Sequence, residues 1–157
     1  MDVISIPHDT LTLMLRLTGA TVLGAAVGIN REMRQKPAGL RTHALVALGG
    51  ALFALVGLAM TRDADVLDFN AASRILQGLV AGVGFIGGGV ILRRPDTQDV
   101  HGLSTAASVW VVSAAGVAAG LGLWRAASIS TVLTLIVLAL DPLDRKLREL
   151  SNGKDSD

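Results

Sequence analysis

A chain of 157 residues that is 51% hydrophobic and only 17% charged has room for one domain but too few charged side chains to cover a water-soluble one. With no cysteine it has no disulfide, thiol nucleophile or thiolate metal site. A net charge of +1 argues against nucleic acid as a partner, and the sequence predicts neither a cofactor nor a bound metal.

Residues 1–10 form a leader with Asp2 and Asp9 and no Lys or Arg. A cleaved signal peptide wants a basic start, so the leader is expected to stay attached, outside the cytoplasm. Residues 11–140 hold five apolar stretches, Leu11 to Ile29, His43 to Met60, Ile75 to Leu92, Ser104 to Leu121 and Trp124 to Leu140. Each is near the roughly 20 helical residues that cross a hydrocarbon core about 30 Å thick. The fold class is therefore an all-α polytopic membrane protein of five transmembrane helices.

Basic residues alternate between the two sides. The first connection has Arg31, Arg34, Lys36 and Arg41, the third Arg93 and Arg94, and the tail Arg145, Lys146, Arg148 and Lys154. The second connection sets Arg62 and Arg74 against Asp63, Asp65 and Asp68, and the fourth has only Arg125. Because basic flanks stay in the cytoplasm, the N-terminus is predicted outside and the C-terminus inside. Residues 141–157 form a short basic tail. In it Leu143, Leu147 and Leu150 share one face and Arg145, Lys146 and Arg148 fill the other, so the segment after Pro142 is expected on the inner leaflet.

Glycines four apart, Gly24 with Gly28, Gly78 with Gly82, Gly84 with Gly88 and Gly116 with Gly120, put bare backbone on single helix faces, where helices approach closely in lipid. The third span, Gly78 to Gly89, has six glycines, including Gly87, and reads either as packing surface or as a thin or broken helix lining a cavity. Its Gly82-Val83-Gly84-Phe85-Ile86-Gly87 spells a dinucleotide fingerprint, but no strand precedes it and no acidic residue follows at the needed distance.

Gly39-Leu40-Arg41-Thr42 opens the second span and Gly102-Leu103-Ser104-Thr105 the fourth, a weak parallel repeat of two helical hairpins. Either the glycines turn the chain and the hydroxyls cap two helices, or two positive helix ends and Arg41 surround an inner vestibule that attracts an anion. Arg16 lies inside the first span, pointing into the bundle or snorkelling outward. Arg74 and Gln77 can join it in an outer polar cluster, with Asp63, Asp65 or Asp68 as counter-charges. His43 and His101 flank the repeated turns, either facing each other or bonding headgroups, and His8 is a surface residue.

Asn30 to His43, Gly82 to Ile91 and Gly102 to Trp110 together resemble the membrane domain of the MgtC/SapB family, the resemblance running from about Arg16 to Gly122. It marks Arg16, Arg31, Glu32, Lys36, Gly39, Arg41, Thr42, His43, Arg74, Gly84, Gly102, Thr105 and Trp110 as characteristic positions. Asn30 stands where the family usually has a glutamate, and Ala72 where many members have an aspartate, which weakens a cation site built on those carboxylates. The resemblance implies a multi-pass protein of the bacterial inner membrane, linked in some members to growth under magnesium limitation and to survival inside host cells. It also implies either regulation of a membrane complex such as the proton-translocating ATP synthase or direct ion transport. Many members carry a further cytoplasmic domain after the fifth span, and this sequence reads as the short form.

No carboxylate pair faces the bundle and no serine has an evident base within the spans, so the chain is not expected to be an enzyme. Three readings remain. The first is a regulator of membrane energetics or of the magnesium-limitation response, acting through contacts with another membrane complex. The second is a small ion or anion transporter with a polar path from Arg16 to the Thr42 and Thr105 turns. The third is a lipid-headgroup binder using the basic inner surface. The unpaired fifth span suits a homodimer contact.

Overall fold

The computed structural model describes residues 9–63, 66–67, 69–93 and 100–140, with side chains over 9–60, 70–91 and 101–140. Expectations about His8, the acidic side chains of the second connection, the Arg93 side chain, Arg94 and the basic tail lie outside what is described.

Five helices carry the fold. The first, α1 (Thr10–Met33), opens where the Asp9 carboxylate accepts the Thr12 amide at 2.7 Å. It is followed by α2 (Leu40–Thr61), α3 (Phe69–Val90), α4 (Leu103–Gly120) and α5 (Trp124–Ala139). Two-residue antiparallel ladders, β1 (Arg62–Asp63) with β2 (Val66–Leu67) and β3 (Leu92–Arg93) with β4 (Val100–His101), lie in the second and third connections. Hydropathy did not reveal them, and they leave the fold class all-α.

The first four helices are long and apolar enough to cross a membrane, whereas α5 has 16 residues. At 1.5 Å per residue that is about 24 Å, short of a full hydrocarbon core. Three helices outrun their apolar stretches, α2 by taking in Leu40-Arg41-Thr42. The polar turn Asn30-Arg31-Glu32 stays in α1 because Arg31 has partners inside the protein, and α3 begins at Phe69 with Asn70, Ser73 and Arg74 in its first turns.

Small residues set the packing, with α2 against both α1 and α4. A Cβ on Gly24 would come 2.5 Å from the His43 carbonyl oxygen, and one on Gly120 2.5 Å from that of Ala51. Gly28 lies against the backbone of Gly39 and Leu40, and Gly116 against Ala47. These two glycine pairs are the close-packing surfaces expected of them, and they enclose a core of Ala20, Val27, Ala51, Val109 and Ala119.

The third helix differs. It is unbroken from Phe69 to Val90, so the fingerprint-like glycines sit inside a helix and the broken-helix expectation is corrected. Its internal hydrogen bonds satisfy the backbone whatever the side chains, which is why lipid tolerates the glycines. Of its six glycines, a Cβ would reach a neighbouring helix only at Gly87, 3.7 Å from Ala106, while a Cβ at Gly78, Gly82, Gly84, Gly88 or Gly89 would meet nothing within 4 Å. Gly84 and Gly88, expected to pack closely, pack against nothing within the described chain.

Candidate functional site

The α1 C-terminus and the starts of α2 and α4 converge on Arg31, whose side chain is fully buried. Its Nη2 donates to Thr105 Oγ1 at 2.8 Å and to Ser104 Oγ at 3.1 Å. The expected anion vestibule between the two helix starts is thus filled by the protein's own cation, and Arg41, assigned to it from sequence, is exposed. Hydroxyl oxygens can accept from a guanidinium, and that decides how the repeated turns are used.

The hydroxyls do not cap the helices. The Leu40 amide at the start of α2 is taken by the Glu32 carboxylate at 3.0 Å, a bond made possible because a side chain on Gly39 would collide with Glu32. At α4 the N-cap is Gly102, with φ +93 and no side-chain cap, and a Cβ there would strike the Val90 carbonyl at the end of α3. Lys36 closes the α1 turn through its amide to the Arg31 carbonyl at 3.1 Å. Thr42 is half-buried, and the Asn30 Oδ1 is buried without a hydrogen-bond partner among the described residues.

His43 is also fully buried. Its Nδ1 lies 2.9 Å from the Gly39 carbonyl and its Nε2 2.9 Å from Ser108 Oγ, which donates to the Thr105 carbonyl at 2.8 Å. A proton on Nδ1 leaves Nε2 as an acceptor sharing the Ser108 hydroxyl with that carbonyl. Both expectations for His43, a partner in His101 and a lipid headgroup, are corrected, since His101 is exposed and His43 bonds within the bundle. So is the expectation that no serine has a base within the spans. Ser108 and His43 have nucleophile–base spacing but are closed off, at 2% and 0% exposure.

Arg16 sits near the opposite end of the core, about 22 Å along α1 from Arg31 at 1.5 Å per residue. It points inward, 7% exposed, with Nη1 donating to the Gly120 carbonyl at 3.0 Å. The α4–α5 turn lies over it, for a Cβ on Gly122, at φ +81, would meet its Nη2 at 3.0 Å. Arg74 and Gln77 are exposed on α3, so the expected outer cluster with Arg16 does not assemble among the described residues. Trp110 is half-exposed on α4, beside Leu79 and Val83 of α3.

Between the arginines α1 contributes Ala20, Gly24, Val27 and Gly28, all buried, against Ala47 and Ala51 of α2 and Val112 and Ala119 of α4. The expected polar path from Arg16 to Thr105 is occupied by packed apolar side chains. Sequence reasoning missed Ser108 and the Gly120 carbonyl. The only local signal for Ser108 was its place one helical turn beyond Thr105.

Comparison with known proteins identifies relatives. The chain is 44% identical to SrpB of Synechococcus elongatus over 88% of its own length and 80% of that protein's. It is 43% identical to the Escherichia coli K12 protein named "Putative magnesium transporter YhiD" over 82% of this chain and 60% of that one. To MgtC of Salmonella typhimurium it is 41% identical over 78% of this chain and 49% of that one. The chain thus spans most of SrpB but about half to three fifths of YhiD and MgtC. No solved structure matches. The MgtC family profile matches residues 17–146, which take in both buried arginines' partners and all five helices but the first turns of α1, and this membrane protein belongs to the MgtC family.

Proposed function

We propose that the protein is a regulator of the bacterial inner membrane that holds a rigid α1–α2–α4 core and offers α3 to another membrane complex. The observation that carries this reading is the outward face of α3. Gln77, Ala81, Gly84 and Gly88 follow one another at helical spacing, all exposed, and a Cβ at Gly84 or Gly88 would meet nothing within 4 Å. In lipid such a strip of bare backbone with one amide side chain favours a second helix, through close packing and an interhelical hydrogen bond. The family resemblance points to the proton-translocating ATP synthase as the candidate partner and to magnesium limitation as the occasion. The chain acts by contact and not by catalysis, in keeping with a buried polar set of arginine, histidine and hydroxyls that bond to one another.

Transport is the second reading, favoured by two buried arginines in a bilayer and by the name of the relative YhiD. It has to find a route other than the packed core between them. A photoreactive residue at position 81, on the same strip, in native membranes tests the choice. The expected result is a crosslink to a membrane complex that disappears in the Gly84→Ile, Gly88→Ile variant while the variant's thermal stability stays near that of the parent. A crosslink only to a second copy assigns the face to a homodimer. Magnesium flux by the purified protein in liposomes, lost in Arg16→Ala, overturns the contact reading in favour of transport.

A further inference from the structure

A groove of about 560 Å³ runs between α2 and α3. Its walls include Gly49 and Phe53 of α2 and Gly78, Gly82 and Ile86 of α3, and every lining residue except Arg74 is apolar or glycine. Glycines make it: a Cβ at Gly49, Gly78 or Gly82 would meet nothing within 4 Å. Phe53 is 54% and Ile86 43% exposed, so the groove opens sideways to whatever surrounds the helices.

Such a groove does not stay empty in a bilayer. Apart from Arg74 its side chains offer water no hydrogen bonds, and a void forfeits the dispersion contacts that packed atoms would make. The groove's length selects the occupant. From Arg74 to Ile86 is about 18 Å along α3, close to one leaflet, or about half a 30 Å core. That length suits one acyl chain, with its headgroup at the single cation of the lining, Arg74. Arg74 gives the seat its polarity, since it lies in the first turns of the apolar segment Asn70–Val90, at headgroup depth, and makes no hydrogen bond or ion pair with a described residue.

We propose that the α2–α3 groove is a binding site for one anionic glycerophospholipid, an acyl chain lying along Gly78 and Gly82 and the phosphate meeting the Arg74 guanidinium. A guanidinium forks onto phosphate oxygens, and anionic headgroups strengthen the contact. The site is separate from the partner-facing strip Gln77–Ala81–Gly84–Gly88, and its test needs no partner.

The protein is reconstituted in phosphatidylcholine containing a minor fraction of phosphatidylglycerol, gently extracted, and its retained lipid identified by native mass spectrometry. The wild type is expected to keep one phosphatidylglycerol, enriched about fivefold over its share of the bilayer, as one interfacial cation allows. Arg74→Gln keeps a lipid but loses the enrichment, Gly78→Leu with Gly82→Leu loses the lipid, and Arg125→Gln, exposed outside the groove, behaves as wild type. Helical circular dichroism confirms that each variant is folded. Equal loss in Arg125→Gln, no enrichment in the wild type, or a dimer that dissociates in the Gly78→Leu, Gly82→Leu variant without any change in lipid overturns the proposal, the last giving the groove to a second copy.

Discussion

Arg31 sits in the last turn of α1, whose negative dipole end suits a cation, but beside the positive starts of α2 and α4, which do not unless acceptors are supplied. Ser104 and Thr105 supply them, so the repeated Gly-Leu-x-Thr turn serves at α4 as an arginine acceptor. Thr105→Val should destabilise the protein by about 1 to 3 kcal/mol, the usual cost of removing an acceptor from a buried charged donor, while Thr105→Ser stays near wild type. Thermal unfolding in detergent checks both. At the other end of α1 the Asp9 carboxyl is held below its ordinary range by the Thr12 amide, which bonds the charged form. A depressed carboxylate stabilises the helix start above the unfolded-state range and stops doing so as pH falls through its folded value. The protection of the Thr12 amide from hydrogen exchange, taken relative to its intrinsic rate at each pH, should therefore fall on strong acidification in the parent and change less with pH in Asp9→Asn.

Glycine has opposite meanings on different helices, although the four-residue spacing is the same. On α1 and α4 it is a contact: a Cβ at Gly24 or Gly120 would run into backbone that has nowhere to go. Gly24→Ala and Gly120→Ala should each cost about 1 to 3 kcal/mol, as overpacking does. On the open face of α3 the same change at Gly84 or Gly88 meets empty space and improves helix propensity, so stability should hold or rise by up to about 1 kcal/mol. A set of four single alanine variants unfolded side by side reads the difference in sign.

At the scale of the whole molecule, α1, α2 and α4 form a small-residue core that pins one buried arginine near each end, and α3 and α5 lean on it with much of their surface uncovered. We propose from its basic residues that the first connection faces the cytoplasm, and the chain's lack of cysteine makes the test simple. A single cysteine in place of Lys36 should resist a membrane-impermeant thiol reagent in intact cells and react in inverted vesicles. Labelling from outside would invert the topology.

The five helices, their order and the family were all legible in the sequence, because apolar runs of bilayer length and the motifs around Gly39, Gly82 and Gly102 are local properties of the chain. The sequence also singled out Arg16, Arg31, His43 and Thr105, all of which the structure buries, but not their contacts. Those contacts depend on which residues 74 to 104 positions away come within about 3 Å, as Gly120 does for Arg16 and Thr105 for Arg31. Hydropathy cannot tell a vestibule from a space filled by a buried side chain, nor a glycine face that packs from one left open. Those distinctions come from the approach of α2 to α1 and α4, which only the tertiary structure decides, since backbone contact between helices is a property of pairs of elements and not of either sequence alone.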